Sequence, residues 1–289
     1  MADDDATSPV SNVSDTASWV ASYRAIETRR ADAIFKDPLA ERLAGEKGRA
    51  IVARAAKHMH NGWPVIARTK VIDDMVLECV ANGCDCVLNL AAGLDTRPYR
   101  LDLPQQLHWV EADLPGIIEE KTALLAGERP HCHLERVKVD LADASARARF
   151  LDGAVGEHKR VLVLTEGLVM YLEDETVREL SRDLERPGIA WWILDSISPA
   201  VLKGFMRNMS DLGRAPMHFA PAHGVAFFED LGWQVAAMRS LVAEAKRLHR
   251  LPWHLYLIML LPFPQPDPRN LGTAMWSAVV QLHRAPPAG

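Results

Sequence analysis

The order of apolar and polar positions divides the chain into a helical first part and an alternating second part. From Thr16 to about Cys79, apolar residues recur at spacings of three and four, the period of an amphipathic helix. A helix predicted over 67–81 ends at Asn82-Gly83, a pair typical of a helix C-terminus. After Gly83, short apolar stretches alternate with helical ones, which indicates a change of architecture.

Seven strands are predicted in the second part of the chain. They span 86–91, 107–113, 134–141, 160–166, 189–195, 234–241 and 275–283. Helical stretches such as 114–125 and 174–184 separate them, and this alternation is typical of an α/β fold with a doubly wound, mostly parallel sheet. We therefore expect a single domain over 16–289, with a helical N-terminal extension (16–82) and a cap over the substrate site (196–230) after the fifth strand.

Composition and charge exclude several classes of protein. The composition is 48% hydrophobic and 25% charged, and the net charge of -5 argues against a dedicated nucleic-acid binder. The acidic stretch 1–15 resembles no secretory signal and predicts a disordered leader. The most apolar window, 252–262, is about half the ~20 residues that span a bilayer, so a buried helix or strand is predicted there rather than a membrane segment. Four cysteines without a signal favour reduced thiols and a cytoplasmic protein.

Candidate ligand contacts lie where the first four predicted strands end, because ligands of open parallel sheets bind beyond the carboxyl ends of the strands. The first strand runs into Ala91-Ala92-Gly93, the second ends at Asp113, the third at Asp140-Leu141, and the fourth at Glu166. An acid about 20 residues after such a turn is where nucleotide-binding folds hold a ribose diol. The acid and leucine that follow suit the amino group and ring face of an adenine.

The turn itself indicates which adenosyl ligand is bound. It has one glycine, Gly93, where a dinucleotide loop has three, and this argues against a pyrophosphate resting on a helix N-terminus. An adenosyl ligand without phosphates, whose sulfonium tolerates nearby acids, fits better, and that ligand is S-adenosylmethionine. Structural alternatives stay open for single residues, since Asp113 could cap a helix and Arg68 could be a solvated helix residue.

Five segments of the chain together resemble a known family. They are YRAIETRRADAIFKDPLAERLAG (23–45), ARTKVIDD (67–74), LNLAAGLDTRPYRL (88–101), WVEADLP (109–115) and LTEGLVMYL (164–172). In this order they are similar to class I methyltransferases of the leucine carboxyl methyltransferase family, in its bacterial branch of tetracenomycin-type polyketide O-methyltransferases. The resemblance covers about 17–195, with a further match at 227–233.

The resemblance implies roles around the methionine part of the cofactor. Arg68 would pair with its carboxylate, Gly93 would contact the amino-acid portion, and Glu166 would lie near its amino group. Ala91 stands where family members often carry the first glycine of a G-A-G turn. Alanine still permits close approach of the cofactor, provided that its φ stays negative.

The same resemblance assigns the adenosine part to three residues. Asp113 would hold the ribose hydroxyls, while Asp140 and Leu141 would frame the adenine. These roles agree with those that the strand ends indicate.

Candidates for the acceptor side come from the N-terminal helices and the region after the fourth strand. Aromatic and apolar side chains there suit a flat or lipophilic acceptor, and the substrate-binding candidates are Trp19, Tyr23, Tyr171, Met217 and His218. His218 and Tyr171 are the catalytic candidates, since an imidazole titrates near neutral pH and can act as general base.

Two histidine pairs raise the question of a metal. His131 and His133 flank Cys132, and His58 and His60 form a second pair, but neither gives a closed set of metal ligands. No metal is therefore predicted.

The function expected from these observations is S-adenosylmethionine-dependent O-methylation of a hydroxyl or carboxyl group on a small, polyketide-like secondary metabolite. The partner would be this small-molecule acceptor, with no nucleic acid and no membrane, and nothing in the sequence indicates an oligomeric state. Two alternatives are carboxyl methylation of a protein C-terminus, and an adenosyl-ligand-binding regulator without transfer activity. A nicotinamide dehydrogenase is the weakest alternative, because the turn lacks the glycines that a pyrophosphate needs.

Overall fold

The computed structural model describes residues 13–59, 61–208, 217–261 and 265–284. Its strands form one sheet and are β1 (Cys86–Leu90), β2 (His108–Asp113), β3 (His133–Lys138), β4 (Val161–Thr165), β5 (Ile189–Ile197), β6 (Trp233–Ser240) and β7 (Ser277–Arg284). Every predicted strand is present, and each predicted boundary lies within three residues of the observed one.

Helices flank the strands throughout the described part of the chain. They are α1 (Val13–Thr28), α2 (Ala40–Met59), α3 (Trp63–Ala81), α4 (Arg97–Arg100), α5 (Pro115–Leu124), α6 (Ala144–Val155), α7 (Asp174–Asp183), α8 (Pro199–Asn208), α9 (Ala226–Glu229), α10 (Leu241–Arg247) and α11 (Trp253–Ile258). A short 3-10 turn, Val169–Tyr171, follows β4. Among the described residues, no helix combines the length and apolar character needed to cross a bilayer.

The strand order places a crevice at the centre of the sheet. The order is β3-β2-β1-β4-β5-β7-β6, and all neighbours are parallel except β7, which is antiparallel to both β5 and β6. This confirms the predicted seven-stranded, mostly parallel sheet. The order reverses between β1 and β4, and at such a switch point ligands bind outside the carboxyl ends of the strands.

Both faces of the sheet are covered, as the continuous apolar strands require. On one face, Ile72 and Met75 of α3 share a buried cluster with Trp109 of β2. On the other, Val177 of α7 shares a buried cluster with Trp192 of β5. Each such side chain contributes roughly 1.5–3 kcal/mol by leaving water, so the two clusters together hold the helices on the sheet.

The N-terminal helices are attached to the turn that follows β1. Arg24 of α1 donates from Nη2 to the carbonyl oxygen of Leu94 at 2.6 Å, and its Nε lies 2.9 Å from Asp37 Oδ2. Helix α1 begins at Val13, so the predicted leader 1–15 is too long, and residues 1–12 lie outside the described residues. This attachment brings α1 to the carboxyl edge of the sheet.

The apolar window 252–262 is exposed in the part that the structure describes, and the prediction of a buried element there is wrong. Helix α11 contains no buried residue, and Trp253 and Leu260 are 75% and 59% exposed. Leu255 and Met259 pack, partly buried, against the cluster that α3 and α10 already share with the sheet, while Leu257 and Ile258 between them are exposed.

Candidate active site

A cavity of about 890 Å³ opens at the carboxyl ends of the central strands. Its volume is at the upper end of the roughly 300–1,000 Å³ typical of small-molecule sites, which leaves room for two ligands side by side. All of the predicted cofactor residues line it, namely Arg68, Ala91, Gly93, Asp113, Asp140, Leu141 and Glu166. The fold therefore brings together residues that are nearly 100 positions apart in the chain.

The turn after β1 departs from expectation at its first residue. Ala91 has φ +54°, in the left-handed region that a side chain disfavours, so the expected negative φ is wrong. The chain reverses direction directly after β1, since the N–H of the next residue, Ala92, donates to the Ala112 carbonyl oxygen of β2 at 3.2 Å. Ala91 takes up this change of direction through its backbone. An alanine thus adopts a backbone conformation that suits glycine.

Asp113 connects this turn to the end of β2. Its Oδ2 accepts the Gly93 N–H at 2.7 Å, and its Oδ1 accepts the Leu114 N–H at 2.7 Å. Burial raises the pKa of Asp113, although both backbone donors act in the opposite direction. Each carboxylate oxygen keeps a further lone pair with which it can accept from a hydroxyl group.

Asp140 and Leu141 form the adjacent wall, beyond the end of β3. The Val139 N–H continues the ladder to the Asp113 carbonyl oxygen at 2.9 Å. The chain then turns, and Asp140 Oδ1 accepts the Ala142 N–H at 2.9 Å. The two residues therefore lie on a defined turn next to Asp113.

Glu166 lies at the centre of an ion-pair network in the floor of the cavity. Its Oε1 is 3.0 Å from Arg68 Nε, and its Oε2 is 2.8 Å from Arg97 Nη1. Burial alone would raise the pKa of Glu166, but Arg97 and Arg68 outweigh it and hold the pKa of this carboxyl below its usual value. Glu166 is therefore ionised at neutral pH.

Asp195, near the end of β5, is a site residue that the sequence analysis missed. Its Oδ2 is 2.8 Å from Arg68 Nη1, and its Oδ1 accepts the Gly167 N–H at 2.7 Å. It also lines the cavity. The signal was available, since Asp195 ends the predicted fifth strand, one strand beyond the four whose ends were considered.

A second layer of charges holds the first in place. Arg97 pairs with Asp95 at 2.7 Å and with Asp73 at 2.8 Å. Arg100 pairs with Asp73 at 2.6 Å, and all four side chains are at most 8% exposed. Breaking a buried pair of this kind costs about 3–5 kcal/mol, so Arg97 is a strong constraint on the position of Glu166.

Comparison with known proteins gives the family. The profile of the leucine carboxyl methyltransferase family matches residues 17–185, more than half of the chain. The chain belongs to the leucine carboxyl methyltransferase family. A predicted S-adenosylmethionine-dependent methyltransferase of Streptomyces coelicolor is 33% identical over 266 residues, covering 83% of this chain and 90% of that protein. A similarly named protein of Frankia alni is 32% identical over 255 residues, covering 80% of this chain and 88% of its own length.

Solved structures agree with the fold. A crystal structure from Thermobifida fusca, titled as a methyltransferase, aligns with a TM-score of 0.53 at 20% identity and covers 83% of this chain and 89% of its own. A DUF574 family protein of Streptomyces avermitilis aligns with the same TM-score at 13% identity, covering 92% and 97%. These neighbours support the class I methyltransferase fold expected of the family.

The residues predicted to bind the methyl acceptor fall into two groups. Trp19, Tyr171 and Met217 line the cavity, whereas Tyr23 and His218 do not. Tyr23 is 1% exposed, and its ring fills the space above Gly62, where an added Cβ would lie 2.1 Å from it. Tyr23 is thus placed as a core residue.

The His218 imidazole points away from the cavity. Its side chain is 39% exposed and its Nδ1 lies 3.0 Å from Glu173 Oε1. The orientation follows from the backbone, since the His218 N–H donates to the Met170 carbonyl oxygen at 2.8 Å. A role for His218 as general base stays a prediction that this arrangement does not favour.

Tyr171 is the catalytic candidate that does reach the cavity. Burial raises the pKa of its phenol, and the nearby Arg68 only partly offsets this effect. The phenol is consequently neutral at physiological pH, so it can donate a hydrogen bond but is a poor general base.

Of the two histidine pairs considered in the sequence, the structure describes the side chains of His131 and His133, and these two have different partners. His131 contacts the Leu101 carbonyl oxygen through Nδ1 at 2.7 Å, whereas His133 stacks on a different histidine, His108. His60 and the side chain of His58 lie outside the described residues.

Proposed function

We propose that this member of the leucine carboxyl methyltransferase family transfers a methyl group from S-adenosylmethionine to an oxygen atom of a small, lipophilic metabolite. The family and the named relatives support S-adenosylmethionine as the cofactor. When bound, the cofactor supplies a methyl group activated by a cationic sulfur. The residues of this chain bind it, orient the acceptor and exclude water.

The donor set of the cavity fits this cofactor. Glu166 and Asp195 are carboxylates suited to its ammonium group, and Arg68, which pairs with both of them, would meet its carboxylate. Asp113 would hold the ribose hydroxyls. Such a set of acids suits a cationic ligand that carries no phosphates.

The adenine would lie beside the turn after β3. Asp140 is exposed enough to accept from its amino group, while Leu141 is partly buried and offers an apolar surface to the ring. Both roles rest on position in the cavity and stay proposals.

The rest of the cavity wall carries the inference about the acceptor. It is mostly apolar, and its apolar residues include Trp19, Val20, Leu168, Met170, Phe205, Met217, Ile258, Met259 and Met275. Two residues of helix α11, Leu255 and Ile258, also line the cavity. An apolar lining of this extent favours a lipophilic acceptor.

Among the described residues, no histidine lines the cavity. Transfer forms a carbon–oxygen bond and breaks the carbon–sulfur bond, whose electron pair leaves with sulfur. A carboxylate acceptor therefore reaches product with no proton to remove, whereas a phenol or alcohol requires a base. For this reason we favour a carboxylate as the accepting group.

Two measurements test this function. Calorimetry with S-adenosylhomocysteine should give saturable binding, and absence of binding by the folded protein would remove the proposal. Incubation with methyl-labelled S-adenosylmethionine and a panel of lipophilic acids and phenols should then label an acid. Mild base should release the label, because esters hydrolyse where aryl ethers do not. Label found only in protein C-termini would instead favour the protein-methylating alternative.

A further inference from the structure

A thiol and three imidazoles converge at the amino ends of the strands, on the opposite edge of the sheet from the cavity. Cys86, His108 and His133 begin β1, β2 and β3, and the register sets Cys86 beside His108 and His108 beside His133. Register partners on neighbouring strands project from the same face of the sheet. His158, in the loop between α6 and β4, approaches from outside the sheet.

The donor atoms of three of these residues are spaced like the ligands of one ion. Cys86 Sγ and one ring nitrogen each of His108 and His158 all lie within 4.8 Å of one another. His108 Nδ1 and His158 Nε2 are 3.1 Å apart. Two nitrogens bound tetrahedrally at about 2.0–2.1 Å from zinc would be roughly 3.3 Å apart, so the two imidazoles need little movement relative to each other.

A carboxylate lies at ion-pair distance from the second ring nitrogen of each histidine, close enough that a small side-chain shift would form a hydrogen bond. His108 Nε2 lies 3.4 Å from Glu135 Oε2, and His158 Nδ1 lies 3.8 Å from Asp85 Oδ1. Histidines that bind metals almost always donate their second N–H to a carboxylate, a carbonyl or water, which fixes the tautomer. An ordinary hydrogen bond between two imidazoles would explain the 3.1 Å contact. It would not explain why a thiol and two carboxylates also lie beside the same pair of rings.

We propose that Cys86, His108 and His158 bind a zinc ion, with water in the fourth position. Nitrogen and sulfur donors select a borderline-soft cation such as Zn²⁺ over Mg²⁺ or Ca²⁺. Binding displaces the thiol proton of Cys86 into solvent. The centre lies about four residue steps, roughly 13 Å, along β1 from Leu90 at the cavity. The ion therefore lies away from the cavity and ties the starts of β1 and β2 to the loop before β4.

Metal binding by the full chain provides the test. After chelator treatment and dialysis with a non-thiol reductant, added zinc should be retained in an equimolar amount, measured by elemental mass spectrometry. Thermal unfolding should shift upward by roughly 5 °C or more at a hundredfold excess of zinc over Kd. Cobalt(II) in place of zinc should give tetrahedral d–d bands and a thiolate-to-cobalt charge-transfer band, which reports Cys86 without mutation.

Two variants complete the experiment. His158→Gln changes a half-buried loop residue, and it should keep the metal-free Tm while losing the zinc shift and the cobalt spectrum. His249→Asn removes an exposed imidazole elsewhere, at a φ of +54° that asparagine tolerates, and should retain both. The proposal is overturned if the wild type retains no zinc, if cobalt binds without the thiolate band, or if His158→Gln binds metal undiminished.

Discussion

The left-handed conformation of Ala91 predicts that a glycine at this position stabilises the protein. Ala91 has φ +54° in the turn that enters the cofactor side of the cavity. In this region the Cβ crowds the following carbonyl oxygen, whereas glycine has no Cβ and adopts the conformation freely. The substitution Ala91→Gly therefore relieves strain in the folded state.

The expected magnitude is the difference of two opposing effects. Relief of the left-handed strain contributes about 1–2 kcal/mol. The greater freedom of glycine in the unfolded chain costs roughly 0.5–1 kcal/mol. Loss of the methyl group adds little, because Ala91 is only partly buried. The free energy of unfolding should rise by up to about 1.5 kcal/mol, with a midpoint of about 0.75 kcal/mol that raises Tm by about 1.5–3 °C for a domain of this size.

Ala92→Gly is the matched control in the same turn. Ala92 is 7% exposed and has no positive φ, so glycine there loses a buried methyl group and gains only chain freedom. We expect a loss of about 1–2 kcal/mol. Urea unfolding and scanning calorimetry of the wild type and both variants measure the two changes with opposite signs.

The refuting result is specific. If Ala91→Gly lowers the free energy of unfolding as much as Ala92→Gly does, the positive φ of Ala91 does not strain the turn. A third variant, Ala91→Val, should be the least stable, because a β-branched residue fits the left-handed region worst.

Three further predictions concern the cavity. Arg68→Ala leaves Glu166 and Asp195 without their shared cation, and calorimetry should show binding of S-adenosylhomocysteine weakened by about 30-fold or more. Folding lowers the pKa of Glu166. The ionised carboxylate therefore stabilises the fold above its unfolded pKa of about 4.3, and this stabilisation is lost as the pH falls through the folded pKa. The Tm of Glu166→Gln should consequently fall less steeply than that of the wild type below about pH 4.3. His218→Gln should change kcat by less than about twofold, because the imidazole lies outside the cavity; a loss of a hundredfold would restore His218 as the base.

Much of the fold could be predicted because strands and helices leave local periodicities. The strands β1 and β4 are short and buried along their whole length, and glycine or proline bounds several of the strands, so their positions could be predicted. The cofactor side followed from topology, because the ends of parallel strands meet at one edge of the sheet. The role of Arg68 could be assigned only from the family resemblance, because this residue lies on a helix outside the sheet.

The features that the sequence did not reveal all depend on contacts between distant segments. The φ of Ala91 is set by pairing with β2, and the exposure of the 252–262 window is set by which helices already cover the sheet. The orientation of His218 is decided by its backbone bond to Met170. The cluster around Cys86 depends on the register of three strands. None of these has a local signature in spacing or composition.

The position of β7 has a consequence for synthesis on the ribosome. β7 is the seventh strand along the chain, yet it lies between β5 and β6, and it pairs with both. Until residues 277–284 have emerged, β5 presents an open apolar edge and β6 has no neighbour in the sheet. Exposed edges of this kind are sites of intermolecular pairing. The nascent protein can therefore complete its sheet only after β7 has been translated, and a chaperone that shields β5 during that interval would raise the yield of folded protein.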